Sequence, residues 1–248
     1  MSVAPALSGE PEPRASEGTT PSIRTLTTIG EMEEASVLLQ NVWGGDRDTM
    51  PAPLMQALAH SGNYVVGVFE EGRMLGASVA FFEEPARRAM HSHITGVHPD
   101  LQGRGIGRAL KLHQRQWALA RDIGHISWTF DPLVARNAHF NLRVLGARVT
   151  EYLPNQYGAM DDGINSGDES DRVMVSWALA APPAPTPSPE RVVATVEVPH
   201  DIEAMRRIAP TDARQWRLRV REQFLGHLAD GLVVGGFDDA AGYLFVRP

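Results

Sequence analysis

Cysteine is absent from the 248 residues of this sequence, and its absence excludes several classes of protein. A chain without thiols has no disulfide framework, no thiolate zinc site, no iron–sulfur cluster and no cysteine nucleophile. Basic side chains are also outnumbered, with 23 Lys and Arg against 30 Asp and Glu and a formal net charge of -7. We therefore expect no nucleic-acid partner, because surfaces that bind nucleic acids concentrate positive charge.

Long apolar runs are absent as well. No stretch approaches the roughly 18 residues that a membrane-spanning helix needs, and the first residues have neither the basic start nor the apolar stretch of a secretory signal. These features predict a cytoplasmic protein with no membrane partner. With 43% hydrophobic residues, the chain is nevertheless long enough to bury a sizeable core in one large domain or two small ones.

Two segments of low complexity divide the chain. Residues 1–21, rich in Pro, Ser, Glu and Gly, predict a disordered tail, and the alternating prolines of residues 181–190 predict a semi-rigid linker. The main domain then spans residues 22–180, and residues 191–248 form a small C-terminal α/β extension. At about 58 residues the extension is marginal alone, so we expect it to pack on the main domain or on a second subunit of a homodimer.

Hydrophobic periodicity in the main domain alternates between strands and helices and predicts an α/β (α+β) fold. The first strand is expected over 22–30. A later helix is expected to begin after a capping Asp131 and to end at Gly146. The arginines of the long helix in the extension are expected to form a solvated face; they are Arg214, Arg217, Arg219 and Arg221.

The strongest local signal is a glycine-rich turn between a predicted strand and a predicted helix, Val97-His-Pro-Asp-Leu-Gln-Gly-Arg-Gly-Ile-Gly107. Three alternate glycines leave backbone N–H groups open, and the helix dipole adds to an anion cradle that suits a pyrophosphate. Arg104, Arg108 and the single lysine, Lys111, add positive charge. A dinucleotide fingerprint would need glycine in place of Arg108, and a P-loop would need Gly-Lys-Ser/Thr. The alternative is an ordinary turn that caps a helix.

Gln102-x-x-Gly105-x-Gly107, just after the strand that ends at Val97, resembles the acyl-CoA pyrophosphate loop of the GNAT superfamily of N-acyltransferases. The order of predicted elements is similar to that fold. The resemblance implies a mixed, mostly antiparallel sheet flanked by helices and splayed at the strand before the loop, with acetyl-CoA or another acyl-CoA as co-substrate. It assigns CoA binding to Gly96, Val97, Gln102, Gly103, Arg104, Gly105, Ile106, Gly107 and Arg108. Asn137 and Asn141, four apart on one predicted helix face, are candidate ligands of the pantetheine amides, and exposure to solvent is the alternative.

A narrower resemblance is carried by 128–133, by Arg136-Asn-Ala138 and by Leu145-Gly146. These residues are similar to those of a bacterial subgroup of predicted GNAT acyltransferases, some of which look associated with N-acylamino acid metabolism. The resemblance therefore adds amino acids to the candidate acceptors.

Two histidines in the predicted strand before the turn are the candidate catalytic residues. Regular alternation places His91, His93 and Thr95 on one face, and in the GNAT fold that face looks toward the acyl group. The pair is similar to two strand histidines of the serotonin N-acetyltransferase branch. An alkylamine of pKa about 10.4 must lose a proton before it attacks, at a penalty of roughly 4 to 5 kcal/mol at pH 7, and a histidine can accept that proton. Structural histidines, or a zinc pair with a third ligand, are the alternatives.

The family's usual acid for the CoA thiolate is missing from its expected place. Leu142 stands where the resemblance places a tyrosine, and Ala135 stands where it places an asparagine. Water, Tyr152 or Tyr157 are the candidates for protonating the thiolate.

Together these features predict an acyl-CoA-dependent N-acyltransferase. It would move an acetyl or succinyl group to the amine of a small molecule, an amino acid being one candidate, by direct attack in a ternary complex and without a metal. A thioester-enzyme intermediate is excluded because the chain has no cysteine. The alternative, of another class, is a non-catalytic sensor that binds acyl-CoA through the same loop; the missing tyrosine favours it, and the histidine pair argues against it.

Overall fold

The computed structural model describes residues 21–44, 49–101, 103–158 and 168–248. The predicted tail, apart from its last residue, and Gln102 of the predicted CoA loop lie outside these ranges. None of the helices in the described ranges combines the length and the apolar character needed to cross a membrane.

The main sheet has seven strands within the described residues. They are β1 (Ser22–Thr25), β2 (Tyr64–Glu70), β3 (Arg73–Phe82), β4 (Ala89–Val97), β5 (His125–Phe130), β6 (Arg148–Leu153) and β7 (Arg172–Ala178). Their order is β1-β2-β3-β4-β5-β7-β6. Neighbouring strands are antiparallel except for β4 and β5, which are parallel. The expected mixed, mostly antiparallel sheet is confirmed.

Helices cover both faces of this sheet. They are α1 (Ile29–Trp43), α2 (Ala52–His60), α3 (Ile106–Leu119) and α4 (Ala135–Ala138), which continues as a π-helix over His139–Val144. Apolar side chains of α1 and α2, such as Met32 and Met55, form one core against the sheet. Those of α3 and α4, such as Leu110 and Ala138, form a second core on the opposite face. The result is the three-layer arrangement typical of mixed α/β folds.

The first strand is shorter than the sequence predicts because a helix cap follows it. Thr28 accepts a hydrogen bond from the backbone of Glu31, whose carboxylate accepts from Thr28 in return. This capping box begins α1 and limits β1 to Ser22–Thr25. A backbone hydrogen bond from Thr27 is the main cause that lowers the pKa of Glu31 to about 2.

The helix expected after Asp131 begins later and changes its pitch. One oxygen of Asp131 accepts from the backbone N–H of Leu133 at 2.9 Å, which makes a tight turn before the helix. The α-helical part therefore starts at Ala135 and becomes π-helical from His139. Asp131 thus orders the turn and does not cap the helix as predicted.

The C-terminal segment forms a smaller unit, with β8 (Val192–Val196), α5 (Ile202–Ile208), α6 (Pro210–Ala229), β9 (Val233–Asp238) and β10 (Gly242–Val246). Its antiparallel sheet has the order β8-β10-β9. Phe224 of α6 is fully buried and lies 5.1 Å from Tyr152 of β6, measured between ring centroids. The hydroxyl of Tyr243 donates to the carbonyl of Pro132 at 2.8 Å. This unit therefore shares the core on the α3 side of the main sheet.

Ion pairs reinforce the contact between the two units. Arg206 of α5 contacts Asp131 at 2.6 Å, with both side chains almost fully buried. Arg217 of α6 makes two hydrogen bonds with Asp168, at 2.9 and 3.0 Å, and Arg221 pairs with Asp171. The arginines of α6 do not all form the expected solvated face, because these two turn toward carboxylates that precede β7.

Candidate active site

A cavity opens where β4 and β5 separate. The two strands pair only through Ala89–His91 and His125–Ser127, and a cavity of about 710 Å³ lies beyond that point. Its size is in the range of small-molecule sites. Its wall includes His93, Ile94, Thr95, Gly96, Val97, Thr129, Phe130, Asp131, Val134 and Asn137. The splay predicted from the sequence is therefore present.

Strand β4 contains a bulge at His93. Ser92 and Ile94 pair with consecutive residues of β3, which leaves His93 without a partner of its own. An extra residue of this kind reverses the alternation of the side chains that follow it. Met90 accordingly packs in the core beneath α3, whereas Ile94, an even number of positions later, packs in the core beneath α1.

The bulge corrects the expectation that Thr95 shares a face with the two histidines. Thr95 lies on the α3 side, where its hydroxyl is 2.8 Å from that of Ser78. His91 and His93 instead share a contact with the ring of Phe81, at centroid distances of 5.3 and 5.8 Å. The centroids of the two imidazoles lie 6.4 Å apart, so the predicted pair is brought together without Thr95.

The two histidines differ in their surroundings. His93 lines the cavity and makes no hydrogen bond to the described residues. His91 is set back from the cavity wall, and its Nδ1 lies 3.1 Å from Oγ of Ser127 on β5. Ser127 in turn donates to a carboxylate oxygen of Glu83 at 2.5 Å. His91 is thus fixed by a hydrogen-bonded chain, while His93 is free to meet a substrate.

The surroundings of both imidazoles favour the neutral form by lowering the pKa. Burial is the main cause that lowers the pKa of His91, with a smaller contribution from His93 beside it. The carboxylate of Glu83 acts in the opposite direction and raises the pKa of His91. Desolvation also lowers the pKa of His93. A neutral imidazole has the free lone pair that a general base requires.

Lys111 lies beneath the same strand. Its ammonium donates to Oγ of Ser92 at 2.8 Å and to the side-chain oxygen of Gln114 at 3.4 Å, and it sits 4.0 Å from the ring of Trp128. Burial lowers the pKa of Lys111 to about 7. The sequence placed this lysine with the anion-binding turn, but the structure directs it into the protein, so it does not face a phosphate.

The glycine-rich turn is open on its outer side. Gly103 and Gly105 have φ angles of 83° and 80°, a left-handed conformation that side chains rarely adopt. A Cβ built on Gly103, Gly105 or Gly107 would meet nothing within 4 Å. Gly105 caps α3, whose first residue, Ile106, is buried. The turn therefore presents unobstructed backbone to a ligand at the helix N-terminus.

Two arginines flank this turn. Arg104 contacts Glu70 at 3.4 Å, and Arg108 is exposed and has no ion-pair partner among the described residues. Since one cation is free and the other only loosely paired, the turn fits an anionic group such as a pyrophosphate.

The backbone of β4 also fits a ligand that carries amides. Beyond His91, the side of β4 that faces β5 has no strand partner in the described part of the chain, so its N–H and C=O groups are open to the cavity. Gly96 and Val97 lie on this stretch, and Asn137 faces it from α4. A Cβ on Gly96 would come within 2.7 Å of Leu39, so the strand and α1 could not pack this closely with a larger residue.

The two candidate tyrosines lie in different environments. Tyr157 lines the cavity, and its hydroxyl is 2.9 Å from that of Thr129. Tyr152 is buried, and its hydroxyl donates to Asp171 at 2.7 Å. Burial, together with the negative charge of Asp171, raises the pKa of Tyr152. Leu142 is buried, away from the cavity wall. Of the two tyrosines, Tyr157 is therefore the one placed to reach a substrate, and water stays the alternative acid.

Several residues of the cavity wall were not found from sequence. Trp43 at the end of α1 has a buried indole N–H with no hydrogen-bond partner among the described residues. Glu203 and Arg207 reach the wall from α5. No sequence signal marks them, because they are distant in the chain from the glycine-rich turn. Within the described ranges, no group of three His, Asp or Glu side chains could hold a metal ion.

Comparison with known proteins agrees with this geometry. Residues 32–147 match the sequence model of the acetyltransferase (GNAT) family. A search of curated protein sequences finds no significant match. A ribosomal-protein-S18-alanine N-acetyltransferase from Escherichia coli shares the fold with a TM-score of 0.52 and 16% identity, over 66% of this chain and 96% of that one.

Two further solved structures have the same fold. A protein from Salmonella typhimurium that is assigned to the acetyltransferases, solved with its cofactor acetyl-CoA, has a TM-score of 0.51 and 21% identity over 67% of this chain and 98% of its own. An IAA acetyltransferase from Bacillus cereus has a TM-score of 0.50 and 15% identity over 64% of this chain and 99% of its own. At these identities the likeness establishes the fold, and it leaves about a third of this chain unmatched.

Proposed function

We propose that this chain acylates the amine of a small molecule, because its residues 32–147 match the sequence model of the GNAT family of acetyltransferases. Acetyl-CoA is the co-substrate of that family, and a succinyl donor is the alternative to be tested. The observation that carries the proposal is the cavity in the splay of β4 and β5, which has His93, Val97 and Pro99 in its wall, with the open glycine-rich turn following Pro99 in the chain.

Two parts of the acyl donor, its pyrophosphate and its pantetheine arm, have proposed binding positions. The turn from Gly103 to Arg108 is open to the pyrophosphate, with Gln102 as a further candidate outside the described residues. The free edge of β4 at Gly96 and Val97 is available to the amides of the pantetheine arm, and Asn137 faces the same channel. Bound in this way, the donor supplies an activated thioester carbonyl in a cavity that also admits the amine.

His91 and His93 are proposed to deprotonate the acceptor. His93 lies in the cavity wall, and the ring centroid of His91 lies 6.4 Å from that of His93, outside the wall. An alkylamine spends most of its time protonated near neutrality, which costs roughly 4 to 5 kcal/mol at pH 7. A neutral histidine can remove this proton directly or through a water molecule as the amine attacks.

The acyl transfer is proposed to occur by direct attack, with every bond and proton accounted for as follows. The amine nitrogen forms a bond to the thioester carbon, the carbon–sulfur bond breaks, and the amine proton passes to the histidine pair. The CoA thiolate takes a proton to become the thiol, and the hydroxyl of Tyr157 is the proposed donor because it is the tyrosine in the cavity wall. A thiolate of pKa about 8.5 also leaves readily unaided, so this acid contributes less than the base.

The test is the release of CoA thiol from acetyl-CoA and succinyl-CoA across a panel of alkylamines and D- and L-amino acids. His91→Gln and His93→Gln are compared with the wild type, and His60→Gln at the exposed end of α2 is the matched control. We expect at least one of the first two variants to lose about 10²-fold or more in kcat/KM with the Kd for acyl-CoA unchanged.

Unchanged turnover in both variants would remove the histidine base and leave the transferase. Tight binding of acyl-CoA with no transfer to any acceptor would instead favour the non-catalytic sensor.

A further inference from the structure

We propose that Ser127 and Glu83 are positioning residues that hold His91 in one tautomer, with its proton on Nδ1 and the lone pair of Nε2 available as the base. This inference rests on the proposed function, in which the histidine pair accepts the proton of the acceptor amine. Neither residue lines the cavity, so their effect on the reaction would pass through His91.

The fold brings the three side chains together from three separate segments. His91 and Ser127 are directly paired at the last rung of the parallel ladder between β4 and β5, before the strands separate. Glu83 follows β3, where its backbone N–H is bound to the carbonyl of Ala89 at the start of β4. The hydrogen-bonded side chains of His91, Ser127 and Glu83 therefore lie at the point where the sheet opens, next to the cavity.

The direction of the hydrogen bonds follows from the chemistry of the groups. A carboxylate can only accept, so the single proton of the Ser127 hydroxyl is given to Glu83. The serine oxygen then has only lone pairs for His91, so the nitrogen it faces, Nδ1, must carry a hydrogen. Neutral His91 consequently has its lone pair on Nε2, and it can gain a proton there without any change in the chain.

His93 lacks such a device. It has ring contacts with Phe81 and His91 but no hydrogen-bond partner among the described residues, so none of these residues selects its tautomer. The two histidines therefore divide the work: His93 meets the amine at the cavity wall, and His91 is the member prepared to hold the proton.

The charges around His91 set the expected pH dependence. Glu83 favours its protonated form, while His93 on the same strand and Lys111 of α3 disfavour it. Arg87 lies 3.7 Å from Glu83 and moderates the charge of the carboxylate. Removing the charge of Glu83 should therefore move the acid limb of the kcat/KM profile to lower pH.

The first experiment reads the tautomer directly and does not depend on activity. Two-bond proton–nitrogen spectra of uniformly ¹⁵N-labelled protein, recorded well above pH 6.5, distinguish a protonated from an unprotonated ring nitrogen, and His91→Gln assigns the signals. We expect wild-type His91 to carry its hydrogen on Nδ1, and Ser127→Ala to yield a mixture or the Nε2 form. A hydrogen on Nε2 in the wild type would overturn the proposal.

The second experiment compares pH profiles of kcat/KM for wild type, Ser127→Ala and Glu83→Gln. The matched control is Glu84→Gln, which removes the same charge from the next residue, an exposed carboxylate that also lies 3.7 Å from Arg87. We expect Ser127→Ala and Glu83→Gln to lower kcat by about 10- to 100-fold, as the loss of a residue that orients a metal-bound histidine does, with the Kd for acyl-CoA unchanged. Glu84→Gln should retain the wild-type profile.

The kinetic outcomes separate this proposal from the proposed function. If the wild type transfers no acyl group to any amine, the proposed function is wrong. The tautomer measurement still tests the positioning of His91, because it does not depend on activity. If the wild type is active and His91→Gln is impaired, but Ser127→Ala and Glu83→Gln keep both kcat and the acid limb, the positioning role is wrong.

Discussion

The buried ion pair between Arg206 and Asp131 offers a quantitative test of how the C-terminal unit is attached. The side chains are 6% and 10% exposed, and Nη2 of Arg206 lies 2.6 Å from Oδ2 of Asp131. The other oxygen of Asp131 is already bound to the backbone of Leu133. Arg206→Met keeps the apolar stem but leaves a buried carboxylate without its counter-ion.

Removing one partner of a buried ion pair typically costs about 3 to 5 kcal/mol. For a chain of this size each kcal/mol lowers Tm by roughly 2 to 4 °C, so we expect a decrease of about 6 to 20 °C. The assay is urea and thermal unfolding followed by circular dichroism. Arg207→Met is the matched control, because Arg207 is exposed and has no ion pair in the described part of the chain; its change should stay within about 0.5 kcal/mol.

A double variant isolates the pair itself. Arg206→Met combined with Asp131→Asn removes both charges, and we expect it to regain much of the stability lost by Arg206→Met alone. If Arg206→Met costs less than about 1 kcal/mol, the value of an exposed pair, then α5 is not docked on the start of α4 and our reasoning about this contact is refuted.

Three further predictions concern the turn, the buried lysine and the cavity tyrosine. Gly105→Ala places a side chain at φ 80° and should cost about 1 to 2 kcal/mol, with a weaker Kd for acyl-CoA by calorimetry. Because burial lowers the pKa of Lys111 from 10.5 to about 7, the unfolded chain binds this proton more tightly, so stability should rise with pH across that window; Lys111→Met should flatten the rise in urea unfolding. Tyr157→Phe should lower kcat by less than about 10²-fold, whereas Tyr152→Phe, which loses a buried bond to Asp171, should lower Tm without a comparable loss of kcat.

The architecture and the CoA loop could be predicted because their signals are local. Alternating apolar residues define β2 and β3, and three alternate glycines before an amphipathic helix define the turn at Gly103 to Gly107. Both signals lie within short stretches of sequence, so neither depends on which distant segments meet.

The bulge at His93 could not be predicted, because it is a property of two strands. A single strand gives only its own alternation, and the extra residue becomes visible when β4 is aligned with β3. For this reason the prediction that Thr95 shares a face with the histidines was wrong, although the structure does bring His91 and His93 close together.

Contacts made by charged side chains were also hidden. Arg217 lies in a helix with many arginines, a pattern typical of a solvated face, yet its side chain is only 4% exposed and pairs with Asp168. Ser127 likewise gives no signal of its contacts with His91 and Glu83, because these partners lie 36 and 44 residues away from it in the chain.

The most direct measurement of the central claim is a mass balance. Acetyl-CoA labelled with ¹³C in its acetyl group is incubated with each acceptor of the amine panel, and the N-acylated product is counted by mass spectrometry against the CoA released. For a productive acceptor we expect one labelled amide for each CoA, and the loss of both in the impaired histidine variant. Release of CoA without a labelled amide, or bound acetyl-CoA that no amine discharges, would contradict the assignment of this cavity as the site of N-acyl transfer.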